Sequence, residues 1–183
     1  MSSLSPIGRV SYPNLWEPRC APGSDKAQYS VTLLFEKGTD LSEMKEAANK
    51  AAKEKWGSKM PKKFESPFKD GNEKEGEEYQ DMIYINFKAS DRHPPGVVGP
   101  NAKKIDEKSG TLYPGCYGRV SYSVYAWEYM GKAGVSFGLR GFQVTGDGDP
   151  FDSREDAEKV FDAVATSADD SDPFGGNSDD VPF

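Results

Sequence analysis

The chain has 183 residues, which suits one domain with appendages better than two full domains. Aromatic residues, glycine and proline are plentiful, a composition that favours short strands and tight turns over a helical bundle. No apolar run is long enough to cross a bilayer, and residues 1–8 lack a signal-peptide core. The sequence therefore predicts a soluble, cytoplasmic protein with no membrane partner.

Acidic residues are concentrated at the C-terminal end of the chain. The net charge is −7, but residues 147–183 hold 12 Asp and Glu against 2 Lys and Arg. Residues 1–146 hold 18 acidic and 21 basic residues. A mildly basic body therefore carries a strongly acidic tail, and the overall negative charge does not exclude a nucleic-acid partner.

The first half of the chain predicts two strands and a helix. Residues 9–16 read as a first strand that ends near Pro18, and alternation over residues 29–35 predicts a second. Asp40 is the predicted N-cap of the helix, with Glu43 as its capping-box partner. The apolar stripe of this helix consists of Leu41, Met44, Ala48, Ala51 and Trp56.

The second half predicts loops, one short strand and a long hairpin. Residues 58–81 and 91–110 are rich in Lys, Glu, Gly and Pro and are predicted loops. Residues 82–88 between them alternate as a strand. Residues 117–129 and 135–144 are the two arms of a hairpin.

These elements predict a mainly β fold with one helix between early strands and a long late hairpin. A small β-barrel of the OB-fold type over residues 1–150 accounts for them, and an open sandwich fits the same pattern. Amphipathic spacing predicts a short helix within residues 151–165. Residues 166–183 consist mostly of Asp, Ser, Gly, Asn and Pro and predict a disordered acidic tail.

The hairpin strand 117–129 carries aromatic and basic side chains on the face opposite its predicted core positions. Nucleobases stack on aromatic rings, and arginine pairs with phosphate, so this face predicts binding of single-stranded nucleic acid. Outward positions on neighbouring strands extend it. The alternative is that these aromatics cover a second core or a dimer partner. The predicted nucleic-acid-binding residues are Tyr84, Lys88, Arg119, Tyr125, Trp127 and Arg140.

The last residues of the acidic tail are unexpectedly apolar. A terminal phenylalanine ring can fill a pocket while its carboxylate meets a basic residue, and neighbouring aspartates steer it there. This pattern predicts docking of partner proteins rather than simple solubilisation. The predicted docking residues are Asp179, Asp180, Val181, Pro182 and Phe183.

Several stretches in fixed order resemble a family of bacteriophage single-stranded-DNA-binding proteins, formerly catalogued as a domain of unknown function. The ending DDVPF resembles the acidic tip of bacterial single-stranded-DNA-binding proteins, which recruits replication and repair enzymes. The resemblance implies an OB-fold core, coating of single-stranded DNA with little sequence preference, and a role in viral DNA replication, recombination or repair in the host cytoplasm. The matching stretches are residues 9–18, 29–34, 52–57, 69–71, Arg92 with 95–98, and 115–119.

Signals for catalysis, metals and cofactors are weak throughout the sequence. His93 is the sole histidine, Cys20 and Cys116 are isolated, and no phosphate-binding glycine loop occurs. We therefore expect no catalytic residues, no metal and no cofactor. An RNA-binding or RNA-chaperone OB protein stays an alternative, as does a nucleic-acid-processing enzyme. The sequence leaves homo-oligomerisation open.

Overall fold

The computed structural model describes residues 3–151, so the predictions for the 151–165 helix and the 166–183 tail lie outside the described residues, apart from residue 151. The single α-helix of the described part, α1, spans Ser42–Trp56. Within the described part, no helix is long and apolar enough to cross a membrane. The strands are β1 (Ser3–Leu4), β2 (Gly8–Cys20), β3 (Ala27–Glu36), β4 (Phe64–Glu65), β5 (Lys69–Asp70), β6 (Met82–Ser90), β7 (Gly96–Val98), β8 (Tyr117–Tyr129) and β9 (Lys132–Gly146).

Five long strands close into a ring in the order β2, β3, β6, β9, β8. The ring closes where Gly8 and Arg9 of β2 pair with Gly118 and Tyr117 of β8. β6 and β9 run parallel, and the other pairs in the ring are antiparallel. This strand order is that of an OB-type five-stranded ring, and it confirms the predicted mainly β fold with one helix.

The interior of the ring is filled by alternate residues of each strand. Phe87, Tyr122 and Phe137 meet there, and the rings of Tyr122 and Phe137 lie 5.1 Å apart in an edge-to-face arrangement. α1 packs its buried Met44 and Ala48 against this core. Because one face of each strand is buried, the opposite face is fixed towards the outside, where the candidate site lies.

Two local predictions for the first half of the chain were wrong. β2 continues past Pro18 to Cys20, because the register is irregular between Asn14 and Arg19 and a proline without an N–H is tolerated there. Asp40 is not the N-cap, since α1 begins at Ser42 with Leu41 in that position. The Asp40 carboxylate, one residue before the N-cap, instead accepts a hydrogen bond from the Ser42 N–H at 3.0 Å.

The helix stripe and the predicted loops also differ in detail. Ala52, and not Ala51, is the buried alanine of the last turns of α1, because the buried positions continue at intervals of four from Met44. The stretch 58–81 contains β4, β5 and two short 3-10 turns, and the stretch 91–110 contains β7. These short strands pair with β6 and β9 at the rim of the ring.

Candidate nucleic-acid interface

The outer face of the ring is formed by the residues that alternate with the core positions of β6, β8 and β9. In the β8–β9 hairpin, Tyr125 lies opposite Ser136 and Trp127 opposite Gly134. On the other side of β9, Lys88 of β6 lies beside Gly138. The large side chains of β8 and β6 therefore rise on either side of small residues of β9.

An aromatic cleft of about 160 Å³ opens between these strands, lined by Tyr125, Trp127, Lys69, Asn86 and Lys88 among others. Trp127 Nε1 donates a hydrogen bond to Ser136 Oγ at 2.9 Å, which fixes the indole. Tyr125 is 46% exposed. A held indole beside an exposed phenol gives a flat apolar surface of the kind on which nucleobases stack.

A basic cleft of about 660 Å³ adjoins the aromatic cleft along β6 and β9. Its lining includes Lys88, Arg92 and Arg140, and none of the described residues that line it is a carboxylate. Arg140 is the extra residue of a bulge, since Ser121 pairs with Gly141 and Tyr122 with Leu139. The bulge frees the exposed Arg140 side chain to face phosphate groups.

Lys88 belongs to the walls of both clefts. Beside Lys88, the floor of the basic cleft is formed by Gly138, which has no side chain. A Cβ on Gly138 would stand 2.5 Å from Ser123 Oγ. The close fit leaves no room for a larger residue without displacing Ser123. The two clefts and Lys88 therefore form one continuous surface, which we name the Lys88 surface.

Two of the six predicted residues lie away from the Lys88 surface. Arg119 Nε donates a hydrogen bond to Gln143 Oε1 at 2.9 Å, and Gln143 Nε2 donates to the Gly99 carbonyl at 3.3 Å. This network holds Arg119 nearer the β7 rim of the same β8 face. Tyr84 lies on the outer face of β6, but its ring packs edge-to-face on Tyr79 at 5.6 Å. The structure thus brings together Lys88, Tyr125, Trp127 and Arg140.

Lys69 and Arg92 line the clefts but were missed by the sequence reasoning. Both lie in stretches that the sequence predicts as loops, where lysines and arginines are most often solvated surface. Lys69 is carried by β5, which pairs with β6 through Lys69 and Tyr84. Strands of two residues have no periodicity, so only the pairing itself reveals this lysine.

The sole histidine and the buried cysteine have ordinary structural surroundings. His93 Nδ1 is 2.9 Å from Ser90 Oγ, and burial raises the pKa of the Cys116 thiol. Within residues 3–151, no group of three or more His, Cys, Asp or Glu side chains is arranged to hold a metal ion.

The ring has the strand order of an OB fold, a class whose members bind oligonucleotides and oligosaccharides. The family model described as the Enterobacter phage Enc34 ssDNA-binding protein matches residues 5–173. The chain belongs to this family of phage single-stranded-DNA-binding proteins. The family consists of DNA-binding proteins and not of enzymes, which confirms the expectation of a non-catalytic protein.

Individual relatives agree with this assignment. The chain is 32% identical over 154 residues to putative protein p50 of Acyrthosiphon pisum secondary endosymbiont phage 1, covering 78% of this chain and 82% of that protein. The single-stranded DNA-binding protein of bacteriophage Enc34, solved in complex with ssDNA, superposes with a TM-score of 0.66 at 21% identity, covering 81% of this chain and 88% of that one. Bacteriophage T7 gp2.5, a single-stranded DNA-binding protein, superposes with a TM-score of 0.63 at 16% identity, covering 85% of this chain and 97% of that one. The two structures show a shared fold.

Proposed function

We propose that this protein binds single-stranded DNA with little sequence preference, and that it coats and protects the strand in the cytoplasm of a bacterial host. The observation that carries the proposal is the sharing of Lys88 between the aromatic and basic clefts. Base stacking and phosphate pairing then act on adjacent parts of one strand. Membership of a phage single-stranded-DNA-binding family supports the same function.

The chemistry of the Lys88 surface suits single strands in particular. Every base offers a π-face to Tyr125 and Trp127, so stacking is tolerant of sequence, whereas a duplex keeps its bases stacked on one another. Lys88, Arg92 and Arg140 pair with the phosphates, which every sequence shares. Affinity falls as salt rises, because phosphate pairing releases counterions.

The test is titration of a fluorescently labelled oligo-dT with wild type and single variants. We expect Trp127→Ala and Tyr125→Ala each to weaken binding by about 1–3 kcal/mol, because each removes a stacking ring. Tyr125 is exposed, so its variant separates lost stacking from lost stability. Tyr129→Ala is the matched control, since Tyr129 is a 72% exposed tyrosine beside the hairpin turn.

Competition with unlabelled duplex DNA and RNA of equal length decides between the alternatives. Single-stranded DNA should displace the label far better than duplex. RNA that competes as well as DNA would favour an RNA-binding protein, because stacking platforms distinguish the two only where the 2′-OH is sensed. Normal affinity in both folded ring variants would contradict binding on the Lys88 surface.

We also propose that the tail recruits proteins of DNA replication, recombination or repair. The stretch 179–183 combines two aspartate side chains with a phenylalanine ring. A basic pocket with an apolar floor is the complementary surface on a partner.

A further inference from the structure

A second group of aromatic side chains lies on the outer face of the ring, around β2. Tyr12 is 60% exposed, at a bulge where the β2–β3 register shifts between Ser11 and Asn14. Its φ of 46° lies in the left-handed region, where residues other than glycine are uncommon. An exposed ring held in an unfavourable backbone conformation is a feature that recurs at functional sites.

A lysine joins this ring to two others. Lys74 Nζ lies 5.0 Å from the Tyr12 ring centroid, 4.4 Å from that of Tyr79 and 5.0 Å from that of Tyr84. Burial, and then the charge of Lys69, lowers the pKa of Lys74. Tyr79 is fully buried and shares a 2.6 Å hydrogen bond with the Ser11 hydroxyl. We name these four residues, Tyr12, Lys74, Tyr79 and Tyr84, the Tyr12 cluster.

The segment that presents Lys74 is fixed by its own hydrogen bonds. The Asp70 carboxylate accepts from the Asn72 N–H at 3.0 Å, and the Asn72 side-chain oxygen accepts from the Asp81 N–H at 3.0 Å. A Cβ on Gly71 would stand 1.9 Å from the Tyr79 carbonyl oxygen, so the loop closes tightly on itself. These contacts fix the backbone of the segment that carries Lys74.

Lys69 connects the Tyr12 cluster to the Lys88 surface. It lines the aromatic cleft beside Tyr125 and Trp127, and it pairs across β5 and β6 with Tyr84. Followed through β9, β6 and β3, the outer face leads from β8 to β2 in four inter-strand steps, about 19 Å along the sheet. A bound strand that fills the Lys88 surface and leaves it past Lys69 can then continue to Tyr12.

We propose that Tyr12, with Lys74 beside it, is a second nucleobase-stacking subsite on the path of the same DNA strand. This inference rests on the proposed function and adds a subsite to it. The exposed ring of Tyr12 supplies the stacking surface, and Lys74 supports it from within the cluster. The segment around Lys74 is acidic and gives no general positive field, since it also carries Glu73, Glu75, Glu77 and Glu78. The added DNA affinity therefore comes from stacking on Tyr12.

The test compares oligo-dT of about 4 and about 16 nucleotides, the range of site sizes for one OB fold. Tyr12→Ala should weaken binding of the longer strand about 5- to 150-fold and leave the shorter strand unaffected, because the shorter strand fills the Lys88 surface alone. The fold-loss should be similar at low and high salt. Tyr12→Phe should bind like wild type, and Tyr129→Ala is the control for loss of an exposed tyrosine.

Tyr12→Asn provides a variant that tolerates the left-handed backbone and lacks the ring, so a loss of affinity in it is not a loss of fold. Wild-type affinity of Tyr12→Asn for the longer strand, equal losses for both lengths, or a gain would overturn the second subsite. Failure of the proposed function has a different signature, since Trp127→Ala and Tyr125→Ala would then bind both lengths normally.

Discussion

Lys88 has room to reach both clefts because its cross-strand neighbours are small. It pairs with Ser30 on β3 and Gly138 on β9. A long aliphatic stem can lie along apolar walls while its ammonium group stays in water. Substituting Lys88 would therefore disturb stacking and phosphate pairing together. Arg140 lines only the basic cleft, so its substitution would disturb phosphate pairing alone.

The Tyr79 phenol predicts a pH dependence of stability. Burial raises the pKa of Tyr79 from 10.0 to about 12, so the folded state favours the neutral phenol. This stability is fully present below about pH 10 and is lost between pH 10 and 12, where the unfolded chain ionises first. Tyr79→Phe should lower the free energy of unfolding by about 1–3 kcal/mol near neutral pH, because the buried Ser11 hydroxyl loses its partner.

Denaturant unfolding of wild type and Tyr79→Phe from pH 8 upwards checks this expectation. The difference in unfolding free energy between the two proteins should narrow above pH 10, since the phenylalanine variant has no group to ionise at this position. A difference that stays constant to the highest pH would contradict a neutral, buried Tyr79.

Residue periodicity predicted which face each side chain occupies, but not what covers that face. Alternation along β8 and β6 was enough to assign Tyr125 and Lys88 to the outer side. The same alternation assigned Tyr84, and it could not indicate that Tyr79 packs on the Tyr84 ring. That contact depends on how the 71–81 segment folds back, and such a loop contact leaves no periodic trace in the sequence.

At the scale of elements, the hairpin turn sets the register of the Lys88 surface. Met130 and Gly131 have φ values of 49° and 77°, the two positive values of a type I′ turn. A two-residue turn of this type fixes Trp127 opposite Gly134 and Tyr125 opposite Ser136. A slip of one residue would turn both rings towards the core.

The glycine floor of β9 yields a further prediction. Gly138→Val should weaken binding of single-stranded DNA by about 1–3 kcal/mol, comparable to the loss of one stacking contact, because the new side chain fills the floor beside Ser123. Oligo-dT titration measures the effect. Gly146→Val is the matched control on the same strand, since no described atom lies within 4 Å of a Cβ built there.

Equal affinities of the folded Gly138 and Gly146 variants would show that the floor is not used by the bound strand. The DNA affinity of Gly138→Ala should lie between those of wild type and Gly138→Val, because Ser123 Oγ can rotate away from a single methyl group. Thermal unfolding of all three variants separates a closed cleft from a destabilised hairpin.

Long elements were predictable from the sequence, and very short ones were not. β3 and β8 alternate over enough residues to define strand and face, and α1 shows a helical stripe. β4, β5 and β7 have two or three residues each and exist only because neighbouring strands offer free edges. Their pairing arises only in the folded ring and leaves no pattern in the sequence. For this reason the sequence predicted a loop at Lys69, which lies in β5.

At the scale of the whole molecule, body and tail carry opposite charge. The role of the tail can be tested by removing the ring of Phe183. Deleting Phe183 alone changes no side-chain charge. We expect the deletion to leave DNA affinity unchanged and to abolish capture of replication, recombination or repair proteins from host lysate, because in the proposed docking the Phe183 ring would fill the partner's pocket.

Asp179→Asn with Asp180→Asn is the companion variant, and it should weaken capture less, with the larger effect at low salt. Pull-downs followed by mass spectrometry compare the three proteins. Identical partner lists from the intact and shortened chains would reduce the tail to a solubilising segment.

The class of fold followed from the order of elements, whereas the closure of the ring did not. One helix between early strands and a late hairpin fit a small barrel, and an open sandwich almost as well. The parallel pairing of β6 with β9 and the contact of Gly8 with Gly118 decide between them. Both join distant parts of the chain, and no local pattern encodes such a pairing.

That closure has a consequence for how the protein is made. Gly8 and Gly118 are 110 positions apart, and β9 supplies Phe137, Leu139 and Phe142 to the core. A chain emerging from the ribosome has β2, β3 and β6 long before the strands that complete the ring, and contacts so distant in sequence form slowly. Core, cleft floor and DNA-binding capacity should therefore arise together, when the last hairpin docks, and a nascent chain stalled before β9 should have none of them.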